Sequence, residues 1–201
     1  MTDAFLDKVY SARSADETRA LYDAWSKSYE AEVAENGYVT PERCAKALYS
    51  ATSDPSMSIL DFGCGTGLSG LALKLAGFQA IDGCDLSPGM LEQARDKDVY
   101  RNLSQIGAGD SLPGGYAAIA AIGVIGSGAA PLEVLDRILD ALESGGLTVF
   151  SFNDHTLEDP GYQARVDALI ASGRVQELTR EHGPHLPARD MNSTVYVLEK
   201  T

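Results

Sequence analysis

The segment ILDFGCGTGLSG, residues 59–70, sets four glycines and an aspartate behind a short apolar run. Two patterns overlap in it. Gly65, Gly67 and Gly70 form G-x-G-x-x-G, the spacing of a turn that brings phosphates close to a helix start. Asp61, Gly63, Gly65 and Gly67 form D-x-G-x-G-x-G, which puts a carboxylate where the turn begins. In both readings the glycines bend the chain out of a strand and keep side chains out of a ligand's way. The bland alternative is a tight turn with no ligand, and the coincidence of the glycines with Asp61 argues against it.

Working outward, short apolar runs at 58–62, 80–85, 104–107, 116–125, 146–152, 175–180 and 194–199 read as strands. Helix-length stretches at 67–76, 88–97, 130–142 and 160–172 separate most of them, and Pro88, Pro131 and Pro160 suit helix starts. This alternation predicts crossover units and an α/β fold with a mainly parallel sheet. Upstream, Ala15 to about Glu35 carries Leu21, Trp25, Tyr29 and Val33 on one helical face. Thr40 then reads as an N-cap before Pro41, with a helix to about Ala51. The expected organisation is one domain over 1–201, with a helical lid at 1–55 and a core at 56–201.

Ligands of such sheets sit at the carboxyl ends of the strands. Asp61 ends the first strand, where a fixed carboxylate disfavours a pyrophosphate and suits the sulfonium and ammonium of S-adenosylmethionine. Asp85, twenty residues after Gly65, ends the second and can accept both hydroxyls of a ribose. Its alternative is to cap the following helix, a role for which Ser87 is better placed. Asp110 in GAGDSL follows the third strand and is a candidate for the adenine amino group, with Ser111 and Leu112 along the ring. Its alternative is a solvated turn residue.

ILDFGCGTG and DGCDLSPGMLEQAR together resemble the class I S-adenosylmethionine-dependent methyltransferases, and GAGDSL and LESGGLTVFSF continue the resemblance. LYDAWSKSYE (21–30) is similar to a segment found before the core in the small-molecule branch. The resemblance implies a Rossmann-like, doubly wound seven-stranded sheet in the order 3-2-1-4-5-7-6, with an antiparallel last strand. It implies S-adenosyl-L-methionine as cofactor and contacts to it from Asp61, Gly63, Cys64, Gly65, Gly67, Asp85, Leu86, Met90, Asp110, Ser111 and Leu112. Tyr22 and Tyr29, with Trp25, would cover it from the lid, although a packing stripe explains Trp25 equally well. Two departures stand out. Ala117 replaces an acidic residue common before the fourth strand, and the segment after that strand, GVIGSGAAP, offers no base.

Composition bounds the partners. The net charge of −13, without a basic cluster, disfavours nucleic acid. No apolar run reaches the ~20 residues that cross a bilayer, and the charged N-terminus lacks a signal-peptide core. Cys44, Cys64 and Cys84 are widely spaced and read as reduced thiols, so a cytoplasmic setting and no metal are expected. A small-molecule acceptor, with a protein as the alternative, is expected between the lid and the loops after strands four and five, with Tyr22 and Tyr29 on one wall and Asn153 and His155 on the other. His155 is the candidate base, or else a polar loop residue. His182 and His185 are expected in a loop bordering that pocket. The rival readings are an NAD-dependent oxidoreductase and a non-catalytic S-adenosylmethionine-binding protein.

Overall fold

The computed structural model describes residues 15–126 and 128–201. Residues 1–14, the first part of the expected lid and of the N-terminus lacking a signal-peptide core, lie outside the described residues. So does Ser127 in the segment after the fourth strand.

Five parallel strands form one side of the sheet: β1 (Ser58–Phe62), β2 (Ala80–Asp85), β3 (Leu103–Gln105), β4 (Ala118–Ala121) and β5 (Leu147–Asn153). A hairpin of β6 (Val175–Leu186) and β7 (Met191–Lys200) completes it, with β7 antiparallel to β5. The order is β3-β2-β1-β4-β5-β7-β6 across seven strands, as the resemblance implies. The direction of travel reverses between β1 and β4, and a crevice opens there at the carboxyl ends.

The central strands are apolar almost throughout because both faces are covered. Successive residues separate the two cores, as a period of two requires. Ile59, Ile81, Ala118, Ala120 and Val149 face one way, towards α2 (Thr40–Ala51) and α3 (Leu68–Ala76). Leu60, Phe62, Ile119, Phe150 and Phe152 face the other, towards α5 (Val134–Ala141) and α7 (Pro160–Ala171). Between these, α4 (Pro88–Arg95) follows β2 and the short α6 (Asp154–Leu157) follows β5.

The structure moves several of the expected boundaries, two of them strongly. The fourth strand shrinks from 116–125 to Ala118–Ala121, because Gly123 turns the chain at φ +70°, and only Ile125 bridges further, to Ala130. The sixth lengthens from 175–180 to Leu186, because β7 offers it a partner along its whole length. Pro184 is tolerated there since β6 is the sheet edge and the register shifts between Pro184 and Leu186. His182 and His185 therefore lie on a strand, not in a loop. Thr40 is not an N-cap; Val39 holds that position without a side-chain bond, and the Thr40 hydroxyl is spent on His185 and Ser193 across the hairpin.

The long helix α1 (Ala15–Glu35) roofs the carboxyl edge. Trp25, 1 % exposed, packs with Leu21, Tyr22, Tyr29 and Tyr38 against Leu186 and Met191 of the hairpin. Its indole Nε1 donates to Glu32 at 2.8 Å, which removes the cost of burying that N–H. At the other flank the Asp23 carboxylate accepts from the Gly89 N–H at 3.2 Å and from the Ser87 hydroxyl, and Lys97 pairs with Glu30. The roof is thus fastened to the start of α4.

Gly70 owes its place to packing. A Cβ there would come within 2.3 Å of the Tyr100 ring, which lies across the first turn of α3. Gly70→Ala is expected to lower stability by about 1–3 kcal/mol through overpacking. In a Tyr100→Ala background the same change should become stabilising by roughly 0.5–1 kcal/mol, the ordinary helix preference for alanine. Urea unfolding of the four proteins checks this; a Gly70→Ala cost of equal size in both backgrounds would show that the ring is not the cause.

Candidate functional site

The turn after β1 is fixed from below by one carbonyl and from the side by one carboxylate. The Cys84 oxygen accepts both Gly63 N–H (2.8 Å) and Cys64 N–H (3.0 Å). Asp85 Oδ2 accepts the Gly65 N–H at 2.8 Å, and its Oδ1 accepts the Ser87 N–H at 2.8 Å. Ser87, not Asp85, caps α4, accepting the Met90 N–H at 3.0 Å. Gly65 sits at φ +53° with nothing within 4 Å of where a Cβ would be, so the turn presents bare backbone to open space.

That space is an open cleft, with about 850 Å³ of empty space when the solvent at its mouth is included. Of the expected ligand residues, Gly63, Cys64, Gly65, Asp85, Leu86, Met90, Tyr22 and Tyr29 line it together. Gly67 is at the start of α3, behind the lining. Asp110, Ser111 and Leu112 are not brought in. Asp110 is exposed and accepts its own turn's Gly107 N–H at 2.7 Å, while Leu112 packs on the core. The third strand instead sends Ile106 to the cleft, and Thr66, Ser69, Ser87, Ile122 and Val124 also line it. The periodicity of a three-residue edge strand was too short to mark Ile106.

Asp61 lies beneath the turn, with 0 % exposure and outside the lining. Its Oδ2 accepts from Ser69 Oγ at 2.6 Å and from Tyr100 Oη at 2.7 Å, and its Oδ1 has no partner. Burial pushes this carboxyl up to about 6, against the opposing pull of the two hydroxyls, and the Asp85 charge adds to the rise. Burial also raises Asp85, although three backbone N–H groups favour its ionised form. Cys64 is held as a neutral thiol, because burial and both aspartates oppose its ionisation.

The residues fit a cationic nucleoside cofactor. Asp85 keeps lone pairs on both oxygens after its two backbone bonds, enough for a pair of ribose hydroxyls. The orphaned Asp61 Oδ1 is negative charge held in a dry interior, where its field is weakly screened. Among the described residues lining the cleft, the only cationic side chain is Arg19, which pairs with Asp16 at 3.4 Å. A pyrophosphate would meet two carboxylates there.

A second cavity of about 630 Å³ adjoins the first and shares Tyr22, Tyr29, Tyr38, Gly123 and Ala129 with it. Trp25 and Val33 of α1 and Ser151, Asn153, Thr156 and His185 are among the residues that line the rest. Asn153 caps α6, accepting the Thr156 N–H at 2.8 Å. His155 lies on α6, 3.5 Å from Glu158, and is outside both linings. His182 and His185 are not a metal pair. His182 meets Asp154 at 3.0 Å at the surface, His185 is buried, and no cluster of metal ligands occurs among the described residues. The alternation of side chains along β6, hidden by the Gly-Pro interruption, is the signal that would have separated them. Cys44, Cys64 and Cys84 are all free and buried, and no described helix is long and apolar enough to cross a membrane.

Comparison with known proteins agrees with this geometry. Residues 38–195 match the family model of a methyltransferase domain. Over 162 residues the chain is 36% identical to methyltransferase-like protein 27 of Homo sapiens, covering 76% of this chain and 66% of that protein. It is 29% identical over 100 residues to the ribosomal protein L11 methyltransferase of Burkholderia multivorans, covering 48% of this chain and 32% of that protein. The chain thus spans just under two thirds of the first relative's length and about a third of the second's. The crystal structure of magnesium protoporphyrin IX methyltransferase from Synechocystis PCC 6803 with bound SAH shares the fold, with a TM-score of 0.60 at 14% identity over 98% of this chain and 93% of that one. With its glycine turn, its switch-point cleft and a family match over most of its length, the chain belongs to the class I S-adenosylmethionine-dependent methyltransferases.

Proposed function

We propose that this protein is an enzyme that moves the methyl group of S-adenosylmethionine onto a small-molecule acceptor, held under α1 in the second cavity. The observation that carries this reading is the shared wall. The cleft at the glycine turn and the aromatic cavity meet at Tyr22, Tyr29, Tyr38, Gly123 and Ala129. The rings of Tyr22, Trp25, Tyr29 and Tyr38 line this cavity, a wall that suits a small molecule. The net charge of −13 further disfavours nucleic acid. The three buried free thiols fit a cytoplasmic setting.

In this reading Asp85 takes the ribose hydroxyls, and Leu86, Met90 and Ile106 flank the base. The glycine turn lies along the amino-acid arm, and Ser69 and the Asp61 charge beneath it favour the ammonium. When bound, the cofactor supplies a methyl group already activated by its sulfonium. The chain's own residues then align the acceptor and exclude water. Tyr22 and Tyr29 close one wall, and Asn153, Ser151 and His185 supply hydrogen-bonding groups on the other.

S-adenosylmethionine or S-adenosylhomocysteine at 100 times its dissociation constant is expected to stabilise the fold by roughly 2.7 kcal/mol, and NAD by nothing measurable. Thermal melts with each ligand decide this, and stabilisation by NAD alone would return the chain to the oxidoreductase reading. Transfer of labelled methyl to members of a small-molecule library, set against peptide and RNA acceptors, then tests the acceptor class.

Asp61 makes binding depend on pH. The group is raised from 3.8 to about 6 in the free fold, so its contribution to stability is complete below 3.8 and disappears as pH rises through 6. At about 1.4 kcal/mol per pH unit, keeping it ionised costs the free protein roughly 3 kcal/mol at pH 7.5. Asp61→Asn should therefore be more stable than wild type at pH 7.5 and show no such advantage at pH 4. Cofactor affinity should fall as pH drops below 6 in the wild type and fall less steeply in the variant, where Asp85 alone still titrates upward of its usual range. Calorimetric titration across pH 5–8 reads both curves; parallel curves would remove Asp61 from the binding reaction.

A further inference from the structure

His185 is the one histidine that the second cavity contains, and its surroundings define its protonation state. Arg43 can only donate. Its Nη1 lies 3.1 Å from Ser193 Oγ, which therefore accepts. Ser193 is 0 % exposed, and its other hydroxyl partner among the described residues is Thr40 Oγ1 at 3.0 Å, so it donates there. Thr40 in turn has His185 Nδ1 at 2.7 Å, to which its own hydrogen must go. Reversing the chain would leave the buried Ser193 O–H without an acceptor, a loss of about 1–3 kcal/mol. Nδ1 is thus the acceptor, and in the neutral ring the hydrogen sits on Nε2. Burial keeps the ring neutral, pushing it down to about 4 against the pull of Asp154 and together with the Arg43 charge.

Among the described residues nothing pairs with His185 Nε2. Nor is it sealed in the interior, since the enclosed orphan atoms are Asp61 Oδ1, Thr66 Oγ1 and Thr148 Oγ1. A buried ring that lines a cavity and leaves one nitrogen unpaired has that nitrogen available to the cavity's occupant. The walls around it combine the rings of Tyr22, Trp25, Tyr29 and Tyr38 with the polar side chains of Ser151 and Asn153.

We propose that His185 is a substrate-recognition residue whose locked Nε2–H donates to an oxygen of the methyl acceptor, which is a flat aromatic molecule bearing a carbonyl, carboxylate or phenolate oxygen. The same lock excludes His185 as the proton-abstracting base, because its free nitrogen already carries hydrogen. This assignment rests on the methyltransferase reading above and deepens it.

The test uses the whole protein saturated with S-adenosylhomocysteine and labelled with 15N-histidine. Long-range 1H–15N spectra should show His185 as the Nε2–H form, unchanged from pH 5 to 8, and Thr40→Val should release that preference. An Nδ1–H form in the wild type overturns the proposal without reference to any acceptor. The second arm uses three matched probes: 1-naphthoate, 1-naphthaldehyde and 1-methylnaphthalene. The two oxygen-bearing probes should bind about tenfold more tightly than the hydrocarbon and shift the His185 Nε2–H signal. His185→Phe should erase the preference while leaving S-adenosylhomocysteine affinity unchanged. His185→Gln, which keeps an N–H at that end, should retain part of it and covers the case of a Phe variant that does not fold. Equal affinity for all three probes, with S-adenosylhomocysteine still bound, overturns this inference alone. Failure of the wild type to bind S-adenosylhomocysteine overturns the methyltransferase reading and this inference together.

Discussion

The Asp85 carboxylate is the tie on which the site depends. One oxygen holds Gly65 and the other holds Ser87, so the glycine turn, the end of β2 and the start of α4 are fixed to a single planar group. Bonds from backbone N–H groups to a charged acceptor are worth about 1.5–3 kcal/mol each, enough to order a turn that has little packing of its own. Because the geometry is set by the carboxylate's own protein bonds, a ligand arriving there meets a formed site and does not bear the cost of ordering it.

Asp61 is the opposite kind of investment. Replacing it with a neutral residue would relieve the free fold, yet the chain keeps it fully buried with one oxygen unpaired. Ser69 and Tyr100 make that burial tolerable, and Tyr100 in turn requires glycine at position 70. The third glycine of G-x-G-x-x-G therefore serves the carboxylate two steps removed, through a tyrosine thirty residues downstream.

Much of this was legible in the sequence for a physical reason. Strands covered on both faces are rich in apolar residues, so β1 and β5 announce themselves despite Asp61, Thr148 and Ser151, and a turn needing bare backbone announces itself by its glycines. Asp85 stands out in the sequence because it ends a strand, and the structure places it on the cleft wall. Contacts made at long range left no such mark. Tyr100 and His185 meet their partners across 39 and 145 residues, respectively, and nothing local distinguishes them from ordinary core residues. Thr40 had the right neighbour, Pro41, for a cap, but tertiary partners claimed its hydroxyl. Asp110 and His155 follow their strands by the right number of residues, yet their chains turn away, Asp110 into its own hairpin-like turn and His155 onto a one-turn helix.

Asp23 gives the roof a particular relation to the floor. It accepts the Ser87 hydroxyl and the Gly89 N–H, while the same Ser87 oxygen caps α4 beside Asp85. Displacing α1 would strip α4 of an anion at its positive end and leave the Gly89 N–H seeking water. Roof and floor are therefore mechanically one: whatever displaces α1 also loosens the start of α4 and, through Ser87 and Asp85, the glycine turn beside it.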